Sequence, residues 1–283
     1  MKIFVRPTAG LCNRMRVIVT AYEQLKEKDT NAKMKVFWYL DSGLNCEAEK
    51  LFNLPKDIKV VNCYSNKRIS NLLCDCFRRM WLMLTTKCFR EKDVIDSRNN
   101  SRDIVMNRAY IVSYEHIKKD FLDSDYSIFQ PTEEIKKLVA ARVKNVTSDG
   151  KYSYIGLHIR RTDNDASINQ SPSEMFYQIL DKYFAKNENT RVYVASDSLE
   201  EIKMLEERYN IGTKRIFFSE SGIKARDTEE GIIETYVELL TLANSEIIYG
   251  SYWSSYSEVA SAIYHKKRYA VTADAIDEIL AQI

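Results

Sequence analysis

The stretch Tyr152-Ser153-Tyr154-Ile155-Gly156-Leu157-His158-Ile159-Arg160-Arg161-Thr162-Asp163 decides how the chain is read, because an apolar run ends abruptly in a cluster of charge. Residues 152–159 have the length and composition of a buried strand. After them the pattern becomes regular. Strand candidates at 191–195, 215–219, 246–250 and 268–272 alternate with helix candidates at 173–186, 199–209, 228–243, 256–265 and 273–282. Strict alternation of this kind predicts a parallel sheet covered on both faces, a Rossmann-like half. Upstream, a polar helix over 131–149 runs into a Ser148-Asp149-Gly150 turn, which places a domain boundary between an N-terminal domain, 1–149, and a C-terminal domain, 150–283.

The N-terminal domain opens with an apolar strand over 2–6, a turn at Pro7-Thr8-Ala9-Gly10 and an amphipathic helix over 13–26. Another apolar run, 34–40, closes a βαβ unit. The loop Gly10-Leu11-Cys12-Asn13-Arg14 then sits at the C-terminal end of a parallel strand, where ligands of open α/β sheets bind. Residues 69–89 read as a helix with a broad apolar face and basic flanks at Arg78, Arg79, Lys87 and Arg90. Two readings compete for it: packing in the N-terminal core, or peripheral contact with a membrane through 69–90. The polar stretch 91–108 is expected to be an exposed loop.

With 42 basic and 40 acidic residues spread along 283, the formal charge is +2, which excludes the basic bias of a dedicated nucleic-acid binder. No stretch approaches the ~18 to 20 apolar residues that span a bilayer, and the N-terminus reads as a strand rather than a signal segment. The expected location is therefore the cytoplasm, with peripheral contact at the inner face of the membrane as the variant that 69–90 would support. Six cysteines, Cys12, Cys46, Cys63, Cys74, Cys76 and Cys88, are irregularly spaced in the first third of the chain and read as reduced thiols. A zinc site at Cys74 and Cys76 lacks a second close pair and a nearby His, so no metal site is expected.

The chemistry concentrates at strand ends. Arg160 and Arg161, beside His158 and Asp163, carry planar forks suited to phosphate oxygens and charge suited to a departing nucleoside diphosphate. An Arg-Asp ion pair that pins the loop accounts for the same residues, and the residues alone leave both readings open. In Tyr193-Val194-Ala195-Ser196-Asp197-Ser198 a carboxylate reaches the next strand end, where Asp197 either accepts from a nucleotide hydroxyl or base edge or belongs to the N-cap region of the following helix. The turn Gly250-Ser251-Tyr252-Trp253-Ser254-Ser255 offers hydroxyls and helix N-terminal amides to an anion, and a helix cap accounts equally for one serine there.

These residues carry a family resemblance. His158-Ile159-Arg160-Arg161-Thr162-Asp163 resembles the HxRRTD signature of the core alpha-1,6-fucosyltransferases, whose relatives include rhizobial nodulation, alpha-1,2- and protein O-fucosyltransferases. Ala195-Ser196-Asp197-Ser198 is similar to the family's ATDD-like segment, and Ser251-Tyr252-Trp253-Ser254-Ser255 resembles its Ser-rich third motif. Glu238 falls where the core enzymes have an Asp, and Gly10-Leu11-Cys12-Asn13-Arg14 resembles the N-terminal GxxNR loop with Cys12 in place of a common Gly. The resemblance covers the C-terminal half and the first ~20 residues, a reading of pattern that rests on order and spacing.

What it implies is an α/β, GT-B-like pair of Rossmann-like domains with parallel sheets, and inverting transfer from GDP-fucose to a glycan or glycoconjugate acceptor, with no metal and no cofactor beyond the donor. Arg160 would meet the β-phosphate, His158 and Arg161 would organise the donor pocket, and Glu238 and Asp197 would contact nucleoside or sugar. Asn13 would face the reaction centre from the N-terminal, acceptor-side domain. The general base falls to Asp165, ahead of Glu174. Two other classes compete: a metal-dependent GT-A-type transferase using Asp123-Ser124-Asp125, and a non-catalytic sugar- or nucleotide-binding module.

Overall fold

A computed structural model describes residues 2–28, 30–64, 73, 76–77, 80, 87–89, 104–108, 121–221 and 225–283. The chain divides into two compact units, Met1–Thr132 with Ala225–Ile233, and Glu133–Lys224 with Glu234–Ile283. The dividing line thus precedes the helix Glu133–Thr147, instead of following it as the boundary at 149/150 expected, because this helix packs on a strand of the second unit.

The first unit is built on five parallel strands, β1 (Lys2–Pro7), β2 (Lys33–Leu40), β4 (Ile58–Tyr64), β5 (Lys87–Phe89) and β6 (Ile104–Arg108), in the order β4-β2-β1-β6-β5. The short strands β3 (Phe52–Asn53) and β7 (Gln130–Pro131) pair antiparallel outside this sheet. Helix Leu11–Lys28 joins β1 to β2 as the βαβ reading expects. Two expectations are corrected here. Residues 104–108 are no loop but a strand lying between β1 and β5, and the end of the helix expected over 69–89 is the strand β5. The rest of that helix lies almost entirely outside the described residues, and with it the expected membrane contact.

The second unit repeats the plan with β8 (Tyr154–Ile159), β9 (Arg191–Ser196), β10 (Ile216–Phe218), β11 (Ile247–Ser251) and β12 (Lys267–Val271), all parallel, in the order β10-β9-β8-β11-β12. All six residues of β8 are buried, as a central strand with covered faces requires. Side chains alternate along it. Ile155, Leu157 and Ile159 enter the cluster with Phe176, Ile179 and Leu180 of helix Ser173–Lys186 and with Ile202 and Leu205 of helix Leu199–Tyr209. Gly156 and His158 look the other way, where a Cβ on Gly156 would meet Ser245 Oγ at 2.6 Å and Leu242 Cδ1 at 2.7 Å. The helices Glu229–Ala243 and Ser255–Ile263 border that face, and Ile276–Gln282 closes the unit.

In strand order counted within the unit, the sheet reads 3-2-1-4-5, and the order reverses between β8 and β11. Ligands of such sheets bind in the crevice at the carboxyl ends of the strands beside this reversal. The next residues after β8 are Arg160 and Arg161, and β11 ends at Ser251.

Candidate functional site

The reversal point is closed by a hydrogen bond across it, from the Arg160 amide to Ser251 Oγ at 3.1 Å. Ser251 is fully buried, so its hydroxyl fixes the exit of β8 against the exit of β11. The Arg160 guanidinium pairs through Nη2 with Asp163, while its buried Nε has no partner. The loop-pinning ion pair of the earlier alternative is therefore present, and Nε is left over beside it.

Arg161 has a different fate, and strand alternation explains it. Coming one residue later, it turns to the face of Ile159, where its Nε and Nη2 donate to Ser173 Oγ at 3.2 and 3.0 Å and its Nε pairs with Glu201 Oε2 at 3.2 Å. Its guanidinium also lies 5.8 Å from the ring centroid of Phe176. Glu201 is only 2% exposed and accepts further bonds from Ser173 Oγ at 2.6 Å and Tyr177 OH at 3.1 Å. Glu201 was not singled out from the sequence, since an acid in the first turn of a helix reads as a response to the helix dipole.

Asp197 is likewise occupied. One oxygen accepts from the Arg161 amide at 2.7 Å, the other from the Thr162 hydroxyl at 2.6 Å and amide at 3.3 Å, so the carboxylate clamps the loop after β8. The helix cap expected in this region is Ser198, whose Oγ accepts from the Glu201 amide at 3.2 Å. Asp165 lies in the first turn of the short helix Asp165–Gln170 and is exposed, with Asn164 as the cap accepting from the Ser167 amide at 3.1 Å. Asn164 Nδ2 also donates to the Trp253 carbonyl at 3.3 Å, and the Tyr252 amide donates to Ser171 Oγ at 2.8 Å, which ties this helix to the Ser251 turn.

His158 is 6% exposed and stacks on Tyr256 with ring centroids 5.0 Å apart. Burial, reinforced by Arg160, Arg268 and Arg161, lowers its pKa to about 3, so the imidazole is neutral at physiological pH. Its Nδ1 is buried without a partner. Tyr256 OH reaches the Thr235 carbonyl at 2.9 Å and Glu238 Oε2 at 3.0 Å, so this phenol links Glu238 to the ring of His158. Ser254 occupies the N-cap position of helix Ser255–Ile263 but makes no cap bond, and its hydroxyl, in a residue 2% exposed, is also unpartnered. Ser255 begins the helix and is half-buried. Gly250 leaves room for Ser257 here, since a Cβ would meet Ser257 Oγ at 2.3 Å.

The GxxNR loop belongs to the first unit. Arg14 is completely buried: its Nε holds the Ala9 carbonyl at 2.8 Å, Nη1 the Tyr39 carbonyl and Nη2 Asp41 at 3.0 Å, with the guanidinium over Trp38. This arginine latches the turn after β1 to the end of β2 and secures Ala9 at φ 65°. Asn13, next to it, accepts from Arg16 Nη2, one turn on, at 2.8 Å. Asp123-Ser124-Asp125 is a turn in which Asp125 accepts from the Ser127 amide at 3.0 Å and Ser124 donates to Glu23 at 2.8 Å. Among the described residues, no three His, Cys, Asp or Glu side chains are grouped to hold a metal ion, and Cys12, Cys46, Cys63 and Cys76 are free thiols. Burial pushes the Cys46 thiol up to about 12. A cavity of about 470 Å³ lined by Tyr152, Tyr183, Asn187 and Glu246 opens at the opposite, N-terminal ends of β8 and β9, away from these residues.

No known protein-family model matches the chain, and no curated protein matches it in sequence. Its fold does have solved counterparts. The alpha-1,6-fucosyltransferase NodZ soaked with GDP-fucose superposes with a TM-score of 0.57 at 14% identity, covering 93% of this chain and 92% of that one. POFUT1 in complex with GDP gives 0.56 at 12%, over 96% and 98%. A mutant of Arabidopsis thaliana FUT1 in complex with GDP gives 0.55 at 13%, over 95% and 69%. The chain thus has the GT-B-like fold of these fucosyltransferases, two parallel α/β units. The GT-A reading falls with that finding.

Proposed function

We propose that this chain is an inverting, metal-independent glycosyltransferase that moves fucose from GDP-fucose to a glycan or glycoconjugate acceptor in the cytoplasm. The observation that carries the reading is a set of unsatisfied groups gathered at one sheet reversal: Arg160 Nε, His158 Nδ1 and Ser254 Oγ, all buried and unpartnered. Buried polar atoms without partners are uncommon in folded proteins and ask for an explanation, which a bound anion supplies. The similarity of fold to proteins crystallised with GDP or GDP-fucose, and the motif resemblance at these same residues, support the same reading.

In this reading the acceptor hydroxyl attacks C1 of the fucose as the bond from C1 to the β-phosphate oxygen breaks, and GDP departs with the bonding pair. Arg160 neutralises the charge that develops on the leaving diphosphate, while Ser254, Ser255 and the amides of their helix take phosphate oxygens. Ser251 positions Arg160 through its amide. Asp165 receives the acceptor proton, its exposed carboxylate being open to a substrate. Glu238 acts on the donor pocket through Tyr256. Asn13, in the first unit, is assigned to the acceptor side by the motif resemblance alone.

The test is Arg160→Lys, which keeps the charge and loses the fork. Transfer from GDP-fucose is expected to fall in kcat by about 10² to 10³ with the melting temperature unchanged, by analogy with loss of one oxyanion donor. Asp163→Asn, which removes the ion pair with Arg160, should cost far less activity. GDP binding should persist in the presence of a chelator. Near-normal kcat in folded Arg160→Lys protein would refute the assignment.

A further inference from the structure

With Arg161 committed to Glu201, a diphosphate with two charged groups meets only one of the two adjacent arginines. A second cation reaches the same face from elsewhere. Arg268 on β12 is in register with Ile248, so it shares the sheet face of Gly250 and His158. Its Nε lies 3.6 Å from the point a Gly250 Cβ would occupy, so the side chain extends along the sheet toward the carboxyl end, past Gly250. There it donates to Ser257 Oγ at 3.0 Å, which among the described residues is its one hydrogen bond.

This is a costly place for a cation. Arg268 is largely buried, and burial lowers its pKa against the opposing effect of Glu258. Ser257 lies in the first turn of helix Ser255–Ile263, whose positive end repels a guanidinium. Close by are the unpartnered hydroxyl of Ser254 and the unpartnered Nδ1 of His158. A positive side chain bonded to a serine hydroxyl, a helix N-terminus and two orphaned buried groups share one requirement: an anion.

We propose that Arg268 is a second phosphate-binding cation of the donor site, acting with Arg160, and that the pair makes the site select nucleoside diphosphates over nucleoside monophosphates. This rests on the donor-site reading above. One cation can be matched by either phosphate of a donor; two cations, one from each side of the strand reversal, reward the second phosphate.

Isothermal titration of the full chain with GDP and with GMP tests it. Wild-type protein is expected to bind GDP at least about tenfold more tightly than GMP. Arg268→Gln should weaken GDP by about tenfold and leave GMP within about twofold, a split that a merely structural role would not produce. An unchanged ratio of GDP to GMP affinity, or an equal loss for both, would overturn the proposal. Should Arg268→Gln not fold, phenylglyoxal labelling of wild-type protein gives the same decision: GDP, and not GMP, should protect Arg268, and equal labelling with GDP present overturns it. A wild-type protein that binds neither nucleotide refutes the donor-site reading itself, before any variant is compared.

Discussion

Glu201→Gln separates the two adjacent arginines. The carboxylate is almost fully buried and accepts from Arg161, Ser173 and Tyr177, so the amide would keep the shape, lose the charge and turn one acceptor into a donor facing donors. Removing one partner of a buried pair costs roughly 3 to 5 kcal/mol. Because the Arg161 side chain is 13% exposed, and so can recover some hydration, the lower end applies, about 3 kcal/mol. For a chain of 283 residues that corresponds to a fall in Tm of roughly 5 °C. The measurement is thermal and urea denaturation of the variant beside GDP titration at a temperature where it is folded. GDP affinity should change little, because the loop after β8 is still clamped by Asp197 and Arg160 keeps its bond to Ser251. A variant with wild-type Tm that has lost GDP binding tenfold or more would show that Arg161 serves the ligand and that its pairing with Glu201 is incidental.

Two more outcomes follow from the same face of the sheet. His158 has a folded pKa of about 3 against an ordinary value of 6.5, so the unfolded state binds the extra proton between these values and stability falls as pH drops through that window; between pH 6.5 and 5 the His158 contribution is about 2 kcal/mol, and His158→Gln should remove that part of the acid dependence in urea melts at the two pH values. A variant with the same acid slope as wild type would contradict the burial argument. Gly250→Ala must displace Ser257, whose Oγ and Cβ would lie 2.3 and 2.5 Å from the new methyl, and the cost of such overpacking is about 1 to 3 kcal/mol; an unchanged Tm would mean that helix Ser255–Ile263 is free to shift.

The second sheet was legible because its signals are local and strong. The helices 173–186 and 199–209 coincide with the expected bounds, and the strands shift by no more than two residues at either end. Strand β6 was not legible, since Ile104-Val105-Met106-Asn107-Arg108 is brief and ends in polar residues within a polar stretch, and only pairing with β1 makes it a strand. Helix 165–170 is too short to show a period; its signal was the Asn164 cap three residues before Ser167. The positions of the candidate residues at strand ends could be read, but their partners could not. Glu201 lies 40 residues from Arg161, and Arg268 stands in an ordinary strand, so nothing near either in sequence announces the contact.

The alternation of a β-strand gives the signature after β8 its internal division of labour. His158 faces the helices Glu229–Ala243 and Ser255–Ile263, Ile159 faces the apolar cluster on the other side, and the two arginines continue the alternation as the strand ends. Arg160, following His158, stays at the reversal between β8 and β11 with a donor to spare, whereas Arg161, following Ile159, is drawn to the buried Glu201. Asp197 then fixes both amides that follow Arg160, so the loop cannot exchange the roles of the two side chains without breaking that clamp. A one-residue slip of β8 would put Arg161 at the reversal and Arg160 against Phe176, and it would also carry His158 to the apolar face and Ile159 beside Tyr256. The register of a single buried strand therefore selects which arginine is left to meet an anion.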